Sequence, residues 1–418
     1  MWRDEGDVVR VLAPSEQRFV RHGTYTGRSV RVDGALDIAA LRTAFSTLQR
    51  AHPVLTCRIG VDAEGIGYLL RPGAATVGAW VRDGDIDQVR LPVHPVDPGV
   101  QLAYLDVVIG ASAARVTLFA HHSVADAGHC VELVSRLWSF YTDRLEPETV
   151  VPQGLPRSLE EYAADRGITR GTVSGFEDVT RPLPPEARIT PADPATPAPP
   201  ALARPLRAVL EPVATARIVE RGHRDGLTVN GLVTAALLRA YVTETASVET
   251  ASVGCLYPVD LRTRFDPPVP RAAGTNMAGL ASFAAEVDLT ADISVLAHQI
   301  SSRLHHDLAE GIVQQSVLHF PDYYGPSRIH SLAGHIAVTN TGRVPAFRTP
   351  PELTLADYEI VYLSAHPKPS AGASAAVTFL LYTFRGRLTI GVLGGGAAAD
   401  RLPDAVRREL AGLYAESI

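Results

Sequence analysis

Phe119-Ala-His-His-Ser-Val-Ala-Asp-Ala-Gly128 joins two different hydrophobic periods. Upstream, Arg115-Val-Thr-Leu-Phe-Ala120 alternates with the period of two expected of a half-buried strand. Downstream, Cys130, Leu133, Val134, Leu137, Trp138 and Tyr141 recur at helical spacing. The two histidines therefore fall at a strand-to-helix junction, where a side chain is held rigidly and still faces a cavity. Neighbouring side chains on a strand point to opposite faces, so one histidine works and the other, His121, supports it.

His122 is the better candidate for the worker. Imidazole needs little tuning to act as a general base near neutral pH. The N-terminus of the following helix should disfavour the imidazolium and keep the ring neutral. Asp126 has two open roles: it caps that helix, or it pairs with an arginine and fixes the loop. A metal site would need further ligands, and no Cys-x-x-Cys or His-x-x-x-His spacing supplies them, so no metal is expected.

Composition bounds the rest. At 418 residues the chain is too long for one ordinary core, so two domains are expected. Its 46% hydrophobic and 20% charged residues are those of a globular protein. A net charge of −6 without a clustered basic tract argues against nucleic acid as partner. No apolar run reaches the roughly 18 residues of a membrane span, and the N-terminus lacks the apolar core of a signal peptide. Cys57, Cys130 and Cys255 are odd in number, widely spaced and set in apolar runs. They read as buried free thiols, and a cytoplasmic location and a monomeric state are expected.

Proline marks the division. Arg181-Pro-Leu-Pro-Pro-Glu-Ala and Ile189-Thr-Pro-Ala-Asp-Pro-Ala-Thr-Pro-Ala-Pro-Pro200 carry neither a helix nor a central strand. The expected organisation is an N-terminal lobe over 1–180, an extended linker over 181–204 and a C-terminal lobe over 205–418. In the first, a helix is predicted over Leu36–Ala51, with strands over Val54–Ile59, Gly67–Leu70 and Arg115–Ala120. In the second, helices are predicted near Pro212–Asp225, Val229–Thr243 and Ile293–Leu308. Strands are predicted near Ser252–Pro258, Ile336–Thr339, Ala375–Thr383 and Leu388–Val392, with a hairpin turn at Arg385-Gly386. The fold class is mixed α/β (α+β with mixed sheets). Glu160-Glu161 reads as a solvated helix face.

The order of motifs resembles the superfamily of CoA-dependent acyltransferases that includes chloramphenicol acetyltransferase and nonribosomal peptide condensation domains. His121-His122-x-x-x-Asp126 is similar to its active-site signature. Gly226-Leu-Thr-Val-Asn-Gly-Leu-Val233, Tyr257-Pro-Val-Asp-Leu-Arg262, Asn276-Met-Ala-Gly279 and Val338-Thr-Asn-Thr-Gly342 resemble second-lobe motifs in order. With Gln314-Gln-Ser-Val-Leu-His319 and Arg348-Thr-Pro-Pro351, they point to polyketide-associated acyltransferases of the phthiocerol dimycocerosyl transferase type. One departure is Ala127, where most members carry glycine; a slightly altered loop is expected there.

The resemblance implies two chloramphenicol-acetyltransferase-like lobes in a V, with a tunnel across their interface and His122 at its middle. It implies transfer of an acyl group from coenzyme A or an acyl carrier protein to an alcohol. The thioester is a substrate, and no tightly bound cofactor is expected. An activated thioester needs no nucleophilic serine, but the acceptor hydroxyl must lose its proton to a base. Oxyanion donors are sought at Gly128 N–H, Thr339 and Asn340. Arg58 and Arg262 are the two arginines the family pattern makes partners for Asp126. Arg217, Arg221 and Arg224 could form a basic face for a carrier protein. Two alternatives stay open: a condensation-type enzyme forming an amide, and a non-catalytic carrier-protein binding module.

Overall fold

The computed structural model describes residues 5–177, 179, 198–246, 248–323, 335–367 and 376–415. In the first half the strands are β1 (Val8–Val11), β2 (Thr24–Asp33), β3 (Arg58–Val61), β4 (Gly67–Leu70), β5 (Trp80–Asp83), β6 (Ala103–Ile109) and β7 (Ala113–His121). The second half carries β8 (Ala201–Ala203), β9 (Leu206–Val209), β10 (Thr250–Asp260), β11 (Ala278–Asp288), β12 (Ile336–Arg343), β13 (Thr354–Ser364), β14 (Val377–Phe384) and β15 (Arg387–Gly394).

These strands build two six-stranded mixed sheets, ordered β5-β6-β7-β2-β13-β8 and β11-β10-β12-β14-β15-β9, beside a small β1-β4-β3 sheet. Each large sheet is covered by helices. On the first, Leu41, Phe45 and Leu48 of helix Ile38–Ala51 and Leu133, Leu137 and Trp138 of helix Ala127–Asp143 pack onto Val30, Val32, Leu105, Val107, Val116 and Leu118. Its other face is closed by Tyr25, Tyr104, Phe119, Val361 and Leu363. On the second, helix Val229–Thr245 is apolar nearly all round, as a helix enclosed by its neighbours must be. Each fully buried Leu or Phe here is worth about 1.5–3 kcal/mol of transfer free energy.

Local chemistry sets the element ends. Asp37 caps its helix through Ala40 N and Thr228 does so through Gly231 N. Pro212 opens a helix at a position where the missing amide costs nothing. The β14–β15 turn places Arg385 at φ 50° and Gly386 at φ 77°, the paired positive φ of a two-residue hairpin.

Several expectations need correction. Val54–Ile59 is not one strand: Pro53–Thr56 forms a 3₁₀ turn, and extended pairing begins only at Arg58. The fixed φ of Pro53 starts that turn, and Thr56 Oγ1 donates to Pro53 O at 3.0 Å. Strands β1, β2, β5, β6, β9, β11 and β13 have no counterpart among the predicted strands. Residues 181–197 of the proline-rich segment lie outside the described residues, and Ala201–Ala203 pairs as an edge strand. Most consequentially, β13 leaves the C-terminal part of the chain and pairs antiparallel with β2, from Thr354 opposite Asp33 to Ser364 opposite Thr24. Glu160 is not solvated; it accepts from Ser15 N at 2.7 Å and Ser15 Oγ at 2.8 Å. Cys57, Cys130 and Cys255 are buried and free.

Candidate active site

A cavity of about 450 Å³ opens where the two large sheets meet. One wall comes from the first sheet and its helix: Thr24, Arg28, His122, Asp126, Gly128, Ile360 and Tyr362. The other comes from the second: Pro258, Asp260, Asn276, Thr339, Asn340, Thr341 and Thr378.

His122 follows the last residue of β7, held by its amide donating to Thr24 O at 2.7 Å. Its Nδ1 stands 3.2 Å from Ala125 O. A carbonyl only accepts, so Nδ1 carries the hydrogen and Nε2 is the basic atom. Phe19 stacks on the ring at 4.0 Å and 18°, fixing its plane. Burial is the main reason the imidazolium is disfavoured, holding His122 down to about 4; Arg28 and Arg18 push the same way against Asp126. Desolvation and two arginines thus do what was expected of the helix dipole. His121 points away from the cavity into the sheet. It is fully buried edge-on to Tyr25 at 5.0 Å, accepts from Ser123 N through Nδ1, and burial drives it down to about 3.

Asp126 takes both of the roles left open. Oδ1 caps the helix, accepting from His129 N at 2.9 Å. Oδ2 accepts from Arg262 Nη1 at 2.7 Å and from Met277 N at 2.8 Å, both on the opposite lobe. Burial raises the carboxyl, but Arg262 and the two amides outweigh it, and the net shift is downward. Arg58, the other expected partner, instead pairs with Asp7 at 2.8 Å. It sits on the small sheet, where the Asp126 loop does not reach.

Gly128 lies in the first helical turn, where amides have no intrahelical acceptor. A Cβ there would stand 3.3 Å from Arg262 Nη1 and 3.4 Å from Asp260 Oδ2, so glycine leaves room for the arginine. Thr339 and Asn340 both line the cavity, but the Asn340 amide is committed, donating to Asn230 Oδ1 at 3.1 Å and accepting from Gly342 N at 2.8 Å. Sequence reasoning missed Thr341, whose hydroxyl is buried without a hydrogen-bond partner among the described residues. It missed Phe19, Arg28 and Tyr362 as well. Only Thr341 gave a signal, as the second threonine on one face of a strand already singled out. Arg221 of the supposed basic face is buried and bound to Asp225 at 3.2 Å, so the three helix arginines do not form one docking surface.

Two α/β lobes closed around one such cavity are the architecture of condensation domains and related acyltransferases. The first condensation domain of the CDA synthetase superposes with a TM-score of 0.61 at 17% identity, covering 97% of each chain. Polyketide synthase associated protein 5 from Mycobacterium tuberculosis superposes at 0.81 with 29% identity, covering 99% of this chain and 100% of that one. The family described as "Phthiocerol/phthiodiolone dimycocerosyl transferase C-terminus" matches residues 199–393. A phthiocerol/phthiodiolone dimycocerosyl transferase of Mycobacterium leprae is 35% identical over 85% of this chain and 86% of its own length. The chain belongs to the phthiocerol/phthiodiolone dimycocerosyl transferase family and is an acyltransferase. Its lobes form the V of that fold, and no helix among the described residues is long and apolar enough to cross a membrane.

Proposed function

We propose that the protein is an O-acyltransferase that moves an acyl group from a coenzyme A or carrier-protein thioester onto a hydroxyl of a polyketide- or lipid-like acceptor. The relatives, named for transfer of mycocerosyl groups in connection with phthiocerol and phthiodiolone, support an acceptor of that class. The observation that carries the reading is the pinned tautomer of His122, whose Nδ1 is held by Ala125 O while the ring lines the interlobe cavity.

In the step, His122 Nε2 takes the acceptor's hydroxyl proton as its oxygen bonds to the thioester carbonyl carbon. The tetrahedral oxyanion finds its donors in the Thr341 hydroxyl and the first-turn amides of the Ala127–Asp143 helix. Collapse breaks the C–S bond, and the proton passes from His122 to the leaving thiolate, giving an ester and a free thiol. Asp126 stays ionised throughout; it shapes the loop and takes no proton.

The test is thiol release from a panel of acyl-CoA and acyl-carrier-protein donors with simple alcohols. Replacing the general base, His122→Ala should lower kcat by about 10²–10⁴-fold with an unchanged melting temperature. Undiminished ester formation by this variant removes His122 from the mechanism.

A further inference from the structure

Among the described residues four arginines are buried: Arg28, Arg115, Arg221 and Arg262. Three of them sit on a carboxylate: Arg115 on Glu359 at 3.3 Å, Arg221 on Asp225 at 3.2 Å and Arg262 on Asp126 at 2.7 Å. A guanidinium taken out of water requires such a counter-charge. Arg28, only 3% exposed, has no ion pair among the described residues, yet it lines the interlobe cavity. The acid whose field reaches it, Asp126, is already bound to Arg262. Both carboxylates on the cavity wall, Asp126 and Asp260, are held by that same Arg262.

The donors left on Arg28 narrow the missing partner. Nη1 is committed to Thr26 Oγ1 and to Gly27 O, while Nε has no hydrogen-bond partner among the described residues. Nε is enclosed by protein, so the donor that Arg28 offers the cavity is Nη2, which a carboxylate meets by a charge-assisted hydrogen bond. Arg271 and Arg343 stand exposed on the cavity wall and favour entry of an anion.

Arg28 also shares a wall with the base. Thr24, Thr26 and Arg28 alternate onto one face of β2, and Thr24 O holds the His122 amide. We propose that the acyl acceptor is a hydroxy acid whose carboxylate pairs with Arg28 while its hydroxyl meets His122. This rests on the O-acyltransferase reading above and names its acceptor class. An anion on Arg28 also offsets the field by which that guanidinium opposes a proton on His122, so the base strengthens as the acceptor arrives. Arg28 stands on the same wall as His122, and the substrate whose hydroxyl meets His122 is the acceptor, which puts the carboxylate on the acceptor.

The experiment compares 2-, 3- and 5-hydroxydecanoate with their methyl esters as acceptors in wild type, Arg28→Gln and Arg28→Lys. The readout is the acid-to-ester ratio of kcat/KM within each enzyme, which is insensitive to a general loss of activity. Wild type should prefer the best-placed acid by about 10- to 100-fold, the factor a charge-assisted hydrogen bond supplies. The ratio should fall near one in Arg28→Gln and lie between in Arg28→Lys, which keeps the charge and loses the reach and geometry of the guanidinium. Calorimetric titration with decanoate and decanol runs alongside, and decanoate should bind wild type at least 10-fold more tightly than it binds Arg28→Gln. Should Arg28→Gln fail to fold, the wild-type ratio and its preference for decanoate over decanol decide the matter. If no acceptor turns over but decanoate binds through Arg28, the subsite stands and the acyl-transfer reading falls. Equal use of acid and ester by wild type, or a ratio that survives in Arg28→Gln, overturns the proposal.

Discussion

Replacing Asp126 by asparagine separates the charge of this residue from its shape. Asparagine caps a helix about as well as aspartate, so the bond to His129 N survives. What disappears is the anion facing Arg262, whose side chain is 3% exposed. Breaking one side of a buried ion pair costs about 3–5 kcal/mol, most of it the penalty of a stranded charge. Arg262 keeps Asp260 at 3.1 Å and the carbonyls of Arg271 and Gly274, and Asp260 is itself half exposed. That residual set places the loss at the lower end, about 3 kcal/mol. In a chain of this length such a loss lowers the melting temperature by roughly 3 °C, measured by scanning calorimetry at pH 7.5. Asp126→Ala should cost about 1 kcal/mol more, because the cap goes too. Adding Arg262→Met to Asp126→Asn removes the stranded cation, so the double variant should lose less than the sum of the singles. The sign with pH follows from the lowered carboxyl: the gap between wild type and Asp126→Asn is full above the ordinary carboxylate range and closes as pH falls through the folded value. An Asp126→Asn protein melting within 1 °C of wild type at about pH 7.5 would refute the idea that this charge staples the lobes.

Other outcomes follow from the same geometry. Thr341→Val should lower kcat by about 10²-fold, as loss of an oxyanion donor does, while Asn340→Ala, whose amide is already engaged by Asn230 and Gly342, should change it less than about threefold. Equal effects of the two in a thiol-release assay would move the oxyanion donor elsewhere. His52, His121, His122 and His129 are held down, mainly by burial, to about 4, 3, 4 and 3. The unfolded chain binds their protons from about pH 6.5 downward and the folded one does not, so stability is full above that pH and lost below it. Each contributes up to about 1.4 kcal/mol per pH unit, and melting temperatures at pH 7.5, 6 and 5 should fall progressively. A flat profile over that span would show the rings to be solvated. For the same reason kcat/KM should show no inflection near pH 6.5, since the free His122 is still neutral there.

What was legible in the sequence is what neighbouring residues settle between themselves. Asp37, Thr228 and Pro212 announce helix starts by their own hydrogen bonding or fixed φ, and Arg385-Gly386 lies between two alternating runs. The strand-to-helix junction at His121-His122 was readable on the same grounds. The partner of Asp126 was not decidable locally, because Arg58 and Arg262 differ only in which lobe surface comes to meet the loop. Strand β2 escaped notice because Thr26, Arg28 and Ser29 interrupt its apolar pattern although all three are buried. Polar residues inside a sheet read as loop until their partners are known, and those partners are distant in sequence.

Strand β13 shows how such polar residues organise the site. Glu359 at its centre is fully buried and receives Arg115 from β7, Arg204 from just after β8 and Arg207 from β9. A carboxylate this deeply enclosed tolerates no slip of one residue, since a slip would turn it to the opposite, apolar face of the sheet. Val361 and Leu363 share its face and pack on Tyr25 and Phe119, so the apolar pattern enforces the same register. With that register fixed, Ile360 and Tyr362 necessarily alternate onto the other face, where they line the cavity opposite Arg28 and beside His122. The wall that carries the base is therefore completed by a strand from the far end of the chain. The N-terminal half supplies His122 and Asp126, but by itself it lacks both β13, the second neighbour of β2, and the arginine that holds the loop.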